Sequence, residues 1–157
     1  MNDKAINRSD RYNQHKKSRI SVEEYHKMVS MKTPHILIDV RTEPEVEICS
    51  LNGSINIPLE EIQSQDLLDR NLSLIQEQIH SLDASQEVKS WNETHIVLVC
   101  RRGNDSQIAK HIFEEKFCSK ICNTKSVNNQ NLKLVICDII GGLEAWANRI
   151  DTKFPKY

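Results

Sequence analysis

An α/β fold is predicted for this 157-residue chain by three features of its sequence. Short apolar runs, "HILIDV" (35–40), "HIVLVC" (95–100) and "LKLVICDI" (132–139), have strand length and read as strands covered on both faces. Segments with apolar residues at helical spacing lie between them. The length is that of one domain able to bury a core. Together these predict a central, mainly parallel sheet with helices on both faces.

The elements follow in order. Residues 1–18 are polar, mixed in charge and without periodicity, which predicts a flexible leader or interdomain linker, leaving 19–157 as the folded domain. "SVEEYHKMV" opens a helix, with Ser21 as N-cap and Glu24 completing a capping box. The strand 35–40 comes next, and "GSINIPL" (53–59) places glycine and proline around another short strand. "QDLLDRNLSLIQEQIHSL" spaces Leu67, Leu68, Leu72, Ile75 and Ile79 as one helix face.

A polar stretch (83–95) leads into the strand 95–100. The helix "SQIAKHIFEEKF" then groups Ile108, Ala109, Ile112, Phe113 and Phe117 on one side. "SKICNTKSVNNQN" reads as a polar loop before the strand 132–139. Gly141 and Gly142 suit a tight turn, or close packing, before a last helix with Trp146 as its core anchor.

Composition narrows the class of function. With 21 basic and 22 acidic residues, no global field recruits nucleic acid or an anionic membrane. No stretch has transmembrane length, and the first residues lack the apolar core of a signal peptide. Five cysteines, irregularly placed at 49, 100, 118, 122 and 137, suit reduced thiols in the cytoplasm better than a disulfide framework. Cys118 and Cys122 lack a second ligand pair and the six histidines lack metal-site spacing, so no metal is expected.

The stretch "VLVCRRGNDSQ" (97–107) carries the chemistry. Cys100 stands where a strand stops and a helix begins, at the carboxyl end of a strand, where open α/β sheets bind ligands. Unpaired N–H groups entering a helix, and a nest of loop amides, stabilise an anion there, a thiolate included. Gly103 permits a positive φ, Arg101 and Arg102 add positive potential, and Asp105 and Ser106 both suit a helix cap. On these residues alone Cys100 is equally a small apolar strand end, and His111 leaves a Cys–His dyad as a further alternative.

The stretches "ILIDVRTEPEVEICSLNGSINIPL", "CRRGNDSQ", "GGLEAWANRIDTKFPKY" and, more loosely, "RISVEEY" resemble a rhodanese-like sulfurtransferase domain from about Arg19 to Tyr157. More narrowly they resemble the C-terminal rhodanese domains of eukaryotic adenylyltransferase–sulfurtransferases, which serve molybdenum-cofactor synthesis and the ubiquitin-related modifier pathway of tRNA thiolation. The resemblance implies that Cys100 carries a persulfide and that the loop Arg101, Arg102, Gly103, Asn104 and Asp105 cradles its outer sulfur, with Ser106 opening the helix behind. The acceptor it implies is the adenylated C-terminus of a ubiquitin-like sulfur carrier. The adenylyltransferase domain, with its ATP and zinc, acts in cis or in trans, so this chain is expected to hold no cofactor of its own.

Asp39 and Arg41 either orient the active loop or form a structural anchor, with Arg41 paired to Glu45. Asp105 stands at the fifth position after Cys100, where thiosulfate-type rhodaneses carry a cation, so a protein persulfide such as that of a cysteine desulfurase is the expected donor. Ser106 occupies the sixth position, where the phosphatases of this fold place arginine. The alternative from another class is a rhodanese-fold docking module whose cysteine does not turn over.

Overall fold

A sheet of five parallel strands, buried on both faces, organises the molecule. The computed structural model describes residues 18–84, 93–122 and 133–157. Its elements are β1 (Arg19–Ile20), α1 (Val22–Ser30), β2 (His35–Asp39), α2 (Glu43–Ile48), β3 (Ile55–Asn56), α3 (Leu59–Gln63) and α4 (Leu68–Ala84). After these come β4 (Glu93–Val99), α5 (Asp105–Lys116), α6 (Cys118–Cys122), β5 (Lys133–Ile139) and α7 (Gly142–Arg149). The strands pair in the order β1-β5-β4-β2-β3, every pair parallel.

Alternate residues of the strands feed two cores. Ile36, Ile38, Ile96, Leu98 and Ile136 pack with Leu68, Leu72 and Ile75 of α4, Ala109 and Phe113 of α5, and Ile121 of α6. Leu37, Val97, Val99, Cys137 and Ile139 face the other way, against Val22 and Tyr25 of α1 and Leu143 and Ala145 of α7. Continuously apolar strands are what a sheet covered on both sides requires. Trp146 packs against the second core and meets Tyr25 edge-on, with ring centroids 6.0 Å apart.

Local signals fix several boundaries. Ser21 caps α1 through the Glu24 amide while the Glu24 carboxylate takes the Ser21 N–H, as the capping box predicts. Three expectations are corrected. Ile108 is 48 % exposed, off the apolar face that Ala109 and Phe113 define. The polar segment after Phe117 begins with the short helix α6 rather than a loop. Asp105 and Ser106 do not cap α5: Asn104 is its N-cap, without a side-chain bond, and Asp105 is its first helical residue.

Besides α6, three elements went unpredicted. They are β1, too short to show a period, and the short helices α2 and α3. Helix α2 did carry a signal: Thr42 and Glu45 form a capping box and Pro44 sits in its first turn. The predicted leader lies outside the described residues except for Ser18, and so does most of the polar stretch before β4. Among the described residues no helix is long and apolar enough to cross a membrane.

Candidate active site

Strand β4 runs through the middle of the sheet and delivers Cys100 at its carboxyl end, between the ends of β2 and β5. The chain then turns through four residues and enters α5. Gly103 takes φ +86°, which swings its N–H back onto the Cys100 Sγ at 3.0 Å. A Cβ at Gly103 would also stand 2.7 Å from the backbone nitrogen of Gly141, so glycine is required there on both counts.

The glycine pair at 141–142 answers the loop from below. Both residues have positive φ. A side chain on Gly142 would strike the Cys100 carbonyl and come within 2.7 Å of that of Arg101. This approach lets α7 begin by donating the Leu143 N–H to the Cys100 carbonyl at 3.0 Å and the Glu144 N–H to the Arg101 carbonyl at 2.9 Å. The N-terminus of a second helix thereby holds the loop's own backbone. The glycine pair serves close packing as well as the turn.

Behind the sulfur lies a buried polar chain. The Cys100 thiol, 3 % exposed as a residue, donates to Ser106 Oγ at 3.4 Å. Ser106 Oγ donates to Asp138 Oδ2 at 3.2 Å, and both residues are fully buried. Asp138 is held in turn by Arg19, whose Nε donates to Oδ1 at 3.0 Å and whose Nη2 donates to Oδ2 at 3.1 Å. Arg19 and Asp138 are register partners on β1 and β5. Arg19 Nη2 and Gln107 Nε2 both donate to the Gly103 carbonyl, at 3.2 and 2.7 Å. The glycine whose N–H faces the sulfur is therefore also held at its own carbonyl, one peptide further on.

Asp39 and Arg41 sit beside this arrangement, at the end of β2. Arg41 grips the Asp39 carboxylate with Nε at 3.0 Å and Nη2 at 2.6 Å, and its remaining donors go to the Cys49 carbonyl, the Glu45 carbonyl and the Tyr157 hydroxyl. The expected Arg41–Glu45 ion pair is corrected. Arg41 binds the Glu45 backbone, and the Glu45 carboxylate accepts from Tyr157 Oη at 3.2 Å. Burial works against the Arg41 charge, but its hydrogen bonds to Asp39 and Tyr157 and the Asp39 charge outweigh it and hold the guanidinium above its ordinary pKa. Among the described contacts neither Asp39 nor Arg41 touches Cys100.

The other candidates separate cleanly. Arg102 is exposed and reaches Glu144 at 3.4 Å, while Arg101 lies over the Tyr157 ring, 4.4 Å from its centroid. His111 is exposed and faces Glu114 at 3.9 Å, while Cys100 bonds Gly103 and Ser106, so the dyad alternative falls away. Cys49 is half-buried with its Sγ 3.9 Å from the Pro155 carbonyl. Cys137 is a core thiol pushed up to about 12 by burial and then by the Asp138 charge. Among the described residues no cluster of histidine, cysteine and carboxylates is arranged to hold a metal. Sequence reasoning missed Arg19, Asp138 and Tyr157. Asp138 was legible only as a charge closing an apolar strand, and Tyr157 only within the "FPKY" of the resemblance.

Comparison with known proteins agrees with this geometry. A family model described as Rhodanese-like domain matches residues 21–149. The chain is 41 % identical over 139 residues to the protein named adenylyltransferase and sulfurtransferase MOCS3 of Drosophila sechellia, covering 88 % of this chain and 24 % of that protein. It is 37 % identical over 141 residues to the protein of the same name from Xenopus laevis, covering 88 % of this chain and 27 % of that one. The chain thus spans about a quarter of the length of these curated relatives.

Among solved structures, the human single-domain sulfurtransferase TSTD1 aligns over 84 % of this chain and 96 % of its own at 16 % identity, with TM-score 0.53. A yeast protein described as a tyrosine phosphatase of the rhodanese family aligns over 83 % and 84 % at 10 % identity, with TM-score 0.56. At such identities these two show the fold alone. The family match spans most of the sheet and the whole Cys100 loop, and on that ground the chain belongs to the rhodanese-like domain family.

Proposed function

We propose that the chain is a rhodanese-type sulfurtransferase, acting in the cytoplasm, in which Cys100 carries sulfur as a persulfide. The observation that carries this reading is the Cys100 sulfur held between the Gly103 amide and the Ser106 hydroxyl. A structural cysteine has no use for a loop amide aimed at its sulfur, whereas a sulfur that becomes an anion does.

Ser106 suits both protonation states. With the thiol protonated, its oxygen accepts from Cys100 and its proton goes to Asp138. Once the thiol proton is lost, the hydroxyl can rotate to donate to the sulfur anion. Asp138 then still holds the hydrogen bonds from Arg19. In loading, the thiolate attacks the outer sulfur of a protein persulfide: a new S–S bond forms, the donor's own S–S bond breaks, and the donor leaves as a thiolate. A cysteine desulfurase is a donor of this chemistry. The Asp105 anion beside the loop disfavours a small dianion such as thiosulfate.

In discharge the persulfide attacks the acyl-adenylate at the C-terminus of a ubiquitin-like sulfur carrier and releases AMP. A second thiol, supplied by the adenylyltransferase partner in cis or trans, then attacks Cys100 of the acyl disulfide. The acceptor leaves as a thiocarboxylate, and Cys100 is left in a disulfide with that thiol. The curated relatives' name supports this pairing of adenylylation with sulfur transfer, and the resemblance of the Cys100 loop extends the proposal to molybdenum-cofactor synthesis and tRNA thiolation. No step calls for a cofactor in this chain.

Peptide mass spectrometry tests the reading, after incubation with a cysteine desulfurase and cysteine and, separately, with thiosulfate. One added sulfur on the Cys100 peptide is expected from the desulfurase, and none in Cys100→Ala. A folded, reduced protein that takes sulfur from neither donor would replace this function with the docking module.

A further inference from the structure

Two arginines follow Cys100, and the fold gives them different surroundings. Arg102 points out to Glu144, both side chains more than half exposed, so its charge is partly met. Arg101 has no carboxylate partner among the described residues; its guanidinium lies 4.4 Å above the centre of the Tyr157 ring. A ring face attracts a cation without neutralising it, and the planar guanidinium keeps its donors free at the edges.

Tyr157 is itself fixed. Its hydroxyl accepts from Arg41 Nη1 at 2.6 Å and donates to Glu45 Oε1 at 3.2 Å, so the ring is held from the end of β2 and from α2. Arg101, Leu143, Asn148, Pro155 and Tyr157 line an open groove of about 360 Å³, with Lys156 and Glu144 also on its wall. One lining residue of this groove is bonded to the Cys100 backbone, since the Leu143 N–H donates to the Cys100 carbonyl.

We propose that Arg101, positioned by Tyr157, forms an anion subsite beside Cys100 that reads the phosphate of the acceptor's acyl-adenylate, while the groove receives the chain leading to it. This deepens the sulfurtransferase reading and rests on it for the identity of the anion. A cation with no carboxylate partner among the described residues, on an aromatic face, one residue from Cys100 and on the wall of a groove, suits a phosphodiester. Tyr157 is a positioning residue here, acting through Arg101.

The test uses two alkylating agents of matched size, anionic iodoacetate and neutral iodoacetamide, on the reduced chain. In both the Cys100 thiolate attacks the methylene carbon, the C–S bond forms and iodide leaves; peptide mass gives the rate at Cys100. The ratio of the two rates reads the local cation and cancels changes in the thiol itself. Arg101→Met is expected to lower the iodoacetate-to-iodoacetamide ratio about threefold to tenfold. Tyr157→Leu is expected to lower it roughly twofold to fivefold and Tyr157→Phe, which keeps the ring, by less than twofold.

A ratio in Arg101→Met within twofold of the parent would overturn the anion subsite. A Tyr157→Leu ratio equal to the parent's, or a Tyr157→Phe ratio as low as that of Leu, would overturn the positioning role. The ratio needs no sulfur loading. Failure of the sulfurtransferase reading and failure of this subsite therefore show in different measurements.

Discussion

Two Asp–Arg pairs, each built on a buried carboxylate, flank β4, one at each neighbouring strand end, and they differ in what they hold. Asp138 with Arg19 closes β5 and reaches Cys100 through a single hydroxyl. Asp39 with Arg41 closes β2 and spends its remaining donors on backbone carbonyls and Tyr157. Their exposures differ in the same sense: the Arg19 side chain is 31 % exposed, that of Arg41 2 %. One pair is hydrogen-bonded to the Cys100 thiol through Ser106 and tolerates water at its rim. The other is a buried anchor that touches the chemistry only at second hand, through the ring beneath Arg101.

The largest effect should come from breaking the anchor. Asp39→Ala strands a buried guanidinium, and removing one partner of such a pair costs about 3–5 kcal/mol of stability. Asp138→Ala leaves Arg19 able to turn toward water, and its cost should be smaller, roughly 1–3 kcal/mol. Sulfur loading should rank the other way, with Asp138→Ala slower than Asp39→Ala once both are assayed well below their melting temperatures. Urea titrations and loading rates followed by mass spectrometry give both orders. If Asp39→Ala slowed loading as much as Asp138→Ala, the division of labour would be wrong.

A smaller effect separates the two links of the chemical pair. Ser106→Ala removes one hydrogen bond to the sulfur while leaving Asp138 with Arg19 and Cys100 with the Gly103 amide. A bond worth about 1–1.5 kcal/mol predicts a roughly fivefold to tenfold slower loading rate. Ser106→Thr, which keeps the hydroxyl, should recover most of it. Equal rates for Ala and Thr would mean that the hydroxyl is only filling space.

The contrast also explains what the sequence could reveal. Cys100, Gly103 and the glycine pair are read locally: a thiol ending an apolar run, and glycines at turns that demand positive φ. The three strands and the capped α1 are likewise local patterns of period and capping. Arg19 meets Asp138 across 119 residues and Arg41 meets Tyr157 across 116, and no spacing rule reaches that far. Before folding, Asp138 is one carboxylate in "VICD" and Arg19 one cation beside a polar leader. The sheet order, which sets β1 against β5, is what makes them partners. Arg41 illustrates the opposite error: the i, i+4 spacing suggested Glu45, and a nearer buried carboxylate took the guanidinium instead.

The smallest effect concerns pH and belongs to the anchor's exposed rim. Burial alone would raise the Glu45 carboxyl, but hydrogen bonds from Thr42 and Tyr157 and the charge of Arg41 bring it below its ordinary value of 4.5. A carboxyl lowered on folding adds stability that is fully present above 4.5 and is lost as pH falls through the lower, folded value. Glu45 is only half-buried, so solvent screening limits its share to under about 1 kcal/mol. Glu45→Gln should melt slightly below the parent at pH 7, with the gap closing between about pH 5 and 3. A gap that stayed constant through that window would mean that Glu45 holds the Tyr157 hydroxyl by shape rather than by charge. The anchor would then be indifferent to acid apart from the Asp39 carboxylate at its centre.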